Sequence, residues 1–222
     1  FADAGAQIVV GYNSSRQGAE DLVAGLSGEG HLALRIPLTD SVAIEAAARE
    51  VEARFGKVDV LVNSAATTKG VPHADLKALD DETFDQVLVT NVRGPFATIR
   101  AFEALLRRSG DAVVLNISSL SAVDGLGSNI AYCASKAALD TMGLSLARVL
   151  APDIRVIGIS PAAVNTDFVP GRRREDMERV IASSPLKIMA EPDDIAMAAL
   201  SAVTGLRLMT GSTVLVDGGR HL

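Results

Sequence analysis

Apolar residues in this chain fall into short unbroken runs, separated by longer stretches in which they recur every three or four positions. The runs cover residues 7–11, 32–38, 58–63, 112–117, 154–160 and 213–216. Short and rich in valine and isoleucine, they predict buried strands. The stretches between them predict helices over 17–26, 41–55, 81–108, 130–150 and 193–203. Ahead of the first run, Phe1-Ala-Asp-Ala-Gly5 reads as the last turn of a helix closed by glycine.

Strands that are apolar along their whole length have both faces covered. Their alternation with helices implies a parallel sheet. Right-handed crossovers then give a doubly wound α/β architecture. Neither a repeat nor a Pro/Gly/Ser-rich linker interrupts the pattern, so residues 1–222 are expected to form a single domain.

Composition narrows the function by exclusion. With 48% hydrophobic and 22% charged residues the chain reads as a soluble globular protein. No apolar run approaches the ~18 residues of a membrane span, so no membrane partner is expected. A net charge of −6 gives no general reason for nucleic-acid binding. One cysteine, Cys133, excludes an internal disulfide and a cysteine-built metal site. His31, His73 and His221 are scattered without ligand spacing, so no metal is expected. The first residues lack a basic and apolar leader, which makes a cytoplasmic location the default.

Chemistry concentrates in Ser118-Ser119 and Tyr132-Cys-Ala-Ser-Lys136. Tyr132 and Lys136 are spaced i, i+4, so a helix stacks them on one face. A nearby ammonium favours a phenolate and brings a phenol that normally titrates near ~10 toward neutrality. Ser119 follows the apolar run 112–117, at the strand end where open α/β sheets bind ligands. A hydroxyl, a phenol and a lysine there suit proton transfer to and from a carbonyl or alcohol oxygen.

Together with Asn116-Ile-Ser-Ser119 and the segments quoted below, this stretch resembles the active site of the short-chain dehydrogenase/reductase family, and the resemblance runs from Phe1 to Leu222. The polar turn after the first strand is similar to that of 3-oxoacyl carrier-protein reductases. The resemblance implies a Rossmann-like fold and a reaction in which a nicotinamide cofactor exchanges hydride with a substrate carbon. Tyr132 would be the general acid or base, Ser119 the donor to the substrate oxygen, and Lys136 the group that lowers the Tyr132 pKa and holds the nicotinamide ribose. The thirteen-residue gap between Ser119 and Tyr132 matches the family, which selects Ser119 over Ser118. Asn91, in Thr-Asn-Val-Arg-Gly94, would perturb its helix and anchor a proton-relaying water. The helices starting near 81 and 130 would pair into a homodimer or tetramer.

The same resemblance locates the cofactor. Asn13, Ser14, Ser15 and Arg16 occupy the turn that chooses between dinucleotides. An acidic residue there would grip the ribose 2′-hydroxyl of NAD. Amides, hydroxyls and an arginine suit a 2′-phosphate, so NADP(H) is expected over NAD(H). Asn63 and Ala65 would line the cofactor, with Pro161, Val164 and Thr166 at the nicotinamide end. Three departures soften the pattern: Pro37-Leu38 before Thr39-Asp40 instead of Asp-Val, Ala66 for glycine after Asn63-Ser-Ala65, and Ala162 for glycine after Pro161. The family's first strand and glycine-rich turn are expected ahead of residue 1, which implies that about 25 N-terminal residues are missing from the sequence. The run Arg172-Arg-Arg174 lies in the substrate-covering segment; consecutive charges point in different directions and are expected to be solvated.

Three functions follow. The first is an NADP(H)-dependent reductase acting on a small carbonyl substrate. The second is an NAD-dependent alcohol or sugar dehydrogenase, and the third a dinucleotide-sensing protein without turnover. Retention of Asn91, Ser119, Tyr132 and Lys136 together favours an enzyme over a sensor.

Overall fold

The strand β1 (Val9–Tyr12) leads into helix α1 (Arg16–Gly25), and β2 (Leu32–Arg35) into α2 (Ser41–Phe55). In this computed structural model residues 1–171 and 174–222 are described. Arg172 and Arg173 of the expected arginine run lie outside the described residues. The chain continues through β3 (Val60–Asn63), α3 (Asp81–Leu88), α4 (Gly94–Arg107) and β4 (Ala112–Ile117). A short α5 (Ser121–Asp124) precedes α6 (Ile130–Leu150) and β5 (Ile154–Pro161). Helices α7 (Arg174–Ser183) and α8 (Pro192–Thr204) then lead to β6 (Ser212–Val216). The opening turn is a 3-10 helix, Ala2–Ala4, closed by Gly5 at φ 87°, as the glycine predicted.

All strand pairs are parallel, with β1 on β2 and, separately, β3-β4-β5-β6 in order. Packing joins the two groups. Val9, Leu34 and Ile36 of the first share a core with Ile44 of α2, Phe102 and Leu106 of α4, and Val114 of β4. Alternate residues of the central strands face opposite ways. Val114 and Val156 meet α2, α4 and α6, while Val113, Leu115, Ile157 and Ile159 meet Ala199 and Ala202 of α8. Both faces are therefore buried, which is why these strands read as continuous apolar runs.

The long helix expected over 81–108 forms as one unbroken helical run, but not as α-helix throughout. A π-helical turn, Val89–Arg93, separates α3 from α4. Such a turn holds one residue more than an α-turn and rotates the following helix. Directly after it, Gly94 meets the segment that follows β2. A Cβ at Gly94 would stand 2.7 Å from Leu38 Cβ and 3.1 Å from the Leu38 carbonyl oxygen, so this approach requires glycine. Phe96 of α4 and Ile130, Leu144 and Val149 of α6 are exposed on the helices expected to pair between subunits. Among the described residues no helix is long and apolar enough to cross a membrane, and no cluster of His, Cys, Asp and Glu could hold a metal.

Candidate active site

Asn129 decides where α6 begins. Its Oδ1 accepts from the Tyr132 amide at 2.7 Å, an N-cap that satisfies one orphan donor of the first turn. Its Nδ2 donates to the Lys69 carbonyl at 2.7 Å and to Thr68 Oγ1, and Thr68 also bonds Ser128. Completely buried, Asn129 thus pins the first turn of α6 to the loop after β3. Sequence reasoning passed over it, although an asparagine directly before the periodic run is the usual N-cap signal.

From that anchored turn Tyr132 and Lys136 project one turn apart. Tyr132 is 9% exposed and Lys136 3%, and the Lys136 ammonium lies 5.7 Å from the tyrosine ring centroid. Lys136 Nζ donates to the Ile117 carbonyl at 2.7 Å, where β4 ends. Burial brings its pKa down from 10.5 to about 8, against the opposing pull of Asp140. The ammonium is thus mostly charged at neutral pH, yet close to its titration point. Phe168 stacks at a tilt on Tyr132, with centroids 5.9 Å apart.

Ser119 sits just beyond β4. Its Oγ donates to Ser121 Oγ at 3.1 Å and accepts from the Ser121 amide at 3.2 Å. Asn91 lies in the π-helical turn and is 1% exposed. Its Oδ1 accepts from the Thr67 amide, and its Nδ2 donates to the Thr67 carbonyl and to Ser135 Oγ at 3.1 Å. Ser135 Oγ in turn donates to the Tyr132 carbonyl. Asn91 thereby ties the π-turn, the loop after β3 and α6 together, rather than bonding back into its own helix.

Ser119, Tyr132, Lys136, Pro161, Val164 and Thr166 line one cleft of about 560 Å³ at the C-terminal ends of the strands. That volume suits a small-molecule site. Leu120, Phe168, Val169, Val180 and Ile195 make much of the wall apolar, while Asp124, Asp176 and Arg220 bring charge to it. Ser64 and Ala66, which flank the expected Ala65, also line it. Asn63 turns away and donates its amide to Asn116 Oδ1 at 2.9 Å. Asn13, Ser14, Ser15 and Arg16 stand exposed after β1 and do not line this cleft. Arg16 pairs with Glu20 at 2.8 Å. Beside them lies a residue the sequence reading missed: Arg35 at the end of β2 donates to the Asn13 carbonyl at 3.3 Å.

A family model described as enoyl-(acyl carrier protein) reductase matches residues 1–221. D-threitol dehydrogenase of Mycolicibacterium smegmatis is 32% identical over 99% of this chain and 85% of its own length. Among solved structures, a short-chain dehydrogenase/reductase of the glucose/ribitol dehydrogenase type from Brucella melitensis superposes with a TM-score of 0.92 at 27% identity, covering all of this chain and 89% of the other. The 3-ketoacyl-(acyl-carrier-protein) reductase of the same organism, complexed with NADH, gives 0.88 at 29% identity, covering all of this chain and 90% of that one.

Proposed function

Because the chain belongs to the short-chain dehydrogenase/reductase family of oxidoreductases, we propose that it interconverts a carbonyl and a secondary alcohol, with Tyr132 as general acid/base and NADP(H) as cofactor. One observation carries the reading. Tyr132 and Lys136, nearly buried and one turn apart on α6, open onto the same cleft as Ser119.

Lys136 has three donor positions, and the Ile117 carbonyl takes one. The others are available to a ribose hydroxyl, and its positive charge favours the Tyr132 phenolate. In reduction Tyr132 gives its proton to the substrate oxygen; in oxidation it takes that proton away. The Ser119 hydroxyl donates to the same oxygen and fixes its direction. Asn91 would anchor a proton-relaying water near Lys136; its side-chain bonds to Thr67 and Ser135 hold the π-turn in place against α6.

The cleft fits a dinucleotide on the chemistry of its donors. Pro161, Val164 and Thr166 would hold the nicotinamide end and Tyr132 and Lys136 the adjoining ribose; Ala65, between cleft-lining Ser64 and Ala66, would meet the middle, with Asn63, its side chain taken by Asn116, offering only its backbone. Asn13, Ser14, Ser15 and Arg16 would meet the adenosine 2′-phosphate. They include no carboxylate, and Arg35 adds a second guanidinium beside Asn13, which supports a phosphate over a bare ribose. Bound there, the nicotinamide supplies or accepts the hydride.

Replacing Tyr132 by phenylalanine tests the chemistry. With NADPH or NADH and a panel of ketones, 3-oxoacyl thioesters and polyols, Tyr132→Phe is expected to lose turnover by about 10²–10⁴-fold. Its cofactor binding, read by reduced-nicotinamide fluorescence, should stay within about twofold of the parent. Turnover retained in the variant would remove Tyr132 from the role.

A further inference from the structure

A polar row crosses the otherwise apolar sheet beneath α6. Asn63, Asn116, Gly158 and Thr213 are register partners on four successive strands, β3 to β6. Asn63 bonds Asn116, and at the far end Thr213 Oγ1 donates to Asp140 Oδ1 at 3.3 Å. Gly158 makes that last contact possible. A Cβ there would stand 2.4 Å from Thr213 Oγ1, so the threonine side chain occupies the space of the missing methyl. Asn116, Asp140 and Thr213, together with Leu139, Leu144 and Val156, border a small, largely apolar cavity of about 90 Å³.

Asp140 is half-buried and lies one helical turn after Lys136, as Lys136 lies one turn after Tyr132. The three side chains therefore follow one another along α6. Burial raises the Asp140 pKa above the ordinary carboxylate value, and the hydroxyls of Ser118 and Thr213 and the charge of Lys136 offset that only in part. Among the described residues Ser118 Oγ is buried without a hydrogen-bond partner, yet it lies near enough to Asp140 to favour the charged form. The strands facing Asp140 contribute neutral groups: Asn116 and Ser118 from β4 and its end, Gly158 from β5, Thr213 from β6. Arg155 of β5 is one residue from cavity-lining Val156, so it points to the opposite face, onto the Val203 and Leu206 carbonyls. Lys136 is accordingly the charged group that acts on Asp140, one helical turn away and through space, since its ammonium bonds the Ile117 carbonyl and makes no ion pair with the carboxylate.

We infer that Asp140 is the counter-ion that keeps Lys136 cationic in its buried position, held there by Thr213 across the glycine gap at Gly158. Asp140 is a positioning residue: it touches neither substrate nor cofactor and acts on Tyr132 through Lys136. Without it, Lys136 would face the desolvation of its site with no opposing charge on its inner side.

That role rests on the proposed work of Lys136, but its first test does not. In the cofactor-free protein, NMR titration of the lysine Cε resonances reads Lys136 directly, with Lys136→Arg for assignment. Asp140→Asn is expected to move the Lys136 midpoint acidward by about one pH unit, and Asp140→Glu to leave it near the parent value. Thr213→Val, which leaves α6 unaltered, should move it the same way by less, and it carries the test should Asp140→Asn not fold. An unmoved midpoint in the folded variants would overturn the inference. In the oxidation direction, the pH–rate limb of Asp140→Asn should also shift. A moved NMR midpoint with an unmoved limb would uphold the counter-ion and overturn instead the coupling of Lys136 to Tyr132.

Discussion

Lys136 is 3% exposed with its ammonium held by a strand carbonyl, whereas Asn13, Ser14, Ser15 and Arg16 all stand in solvent at the end of β1. The contrast suits the roles we propose for the two regions. A lysine that tunes a phenol needs low dielectric and a fixed position, because charge acts weakly through water. Burial supplies both, and its cost shows in a pKa lowered to about 8. A turn that grips a phosphate needs free donors and room, and it gains its energy only when the ligand arrives. Arg16 meanwhile makes an exposed pair with Glu20, which contributes little to stability and is easily given up.

The largest effect is expected where burial is deepest. Lys136→Met should lose turnover together with nicotinamide binding, because the proposed mechanism uses the same ammonium for both. It should also change how stability depends on pH. The folded chain releases the Lys136 proton near pH 8, while the unfolded chain holds it to about 10.5. Between those values the unfolded state binds more protons, so stability rises with pH. The gain attributable to Lys136 across that window is about 3 kcal/mol. Urea unfolding at pH 7.5 and pH 10 should show that rise in the parent and not in the variant; an equal rise in both would mean that Lys136 is not desolvated as described.

At the exposed end the effect should be smaller and confined to the cofactor. Arg16→Gln would lose the proposed phosphate contact but also frees Glu20 from its pair, so NADPH affinity should fall only about three- to tenfold. NADH affinity and thermal stability should stay as they were. A uniform loss for both dinucleotides would show that Arg16 acts on the shape of the turn and not on a phosphate.

The same contrast explains what could be read from the sequence. The helix over 130–150 and the strand over 112–117 were legible to the residue, because the buried elements carry continuous apolar patterns. So was the pairing of Tyr132 with Lys136, which helical spacing alone enforces. A perturbation at Asn91 was expected from the family resemblance, but its form, a π-turn over Val89–Arg93, was not legible. Apolar periodicity runs through it, and only tertiary contacts of Asn91 with Thr67 and Ser135 hold the wider turn. Helix α7 was missed because it is short and polar on average, with only Met177, Val180 and Ile181 marking an apolar face. Arg35 was missed for another reason: its nearness to Asn13 comes from the pairing of β1 with β2, which places Tyr12 opposite Arg35. The neighbourhood of Asp140 and Lys136 follows from the same helical spacing, but the meeting of Asp140 with Thr213 joins residues far apart in the chain and was out of reach.

The most direct test of one site made from a buried chemical face and an open phosphate-selecting turn is a paired titration of the protein with NADPH and NADH, followed by reduced-nicotinamide fluorescence. Both dinucleotides should bind, with NADPH tighter by about tenfold or more. Equal affinities, or NADH the tighter, would contradict the assignment of Asn13, Ser14, Ser15 and Arg16 to a 2′-phosphate.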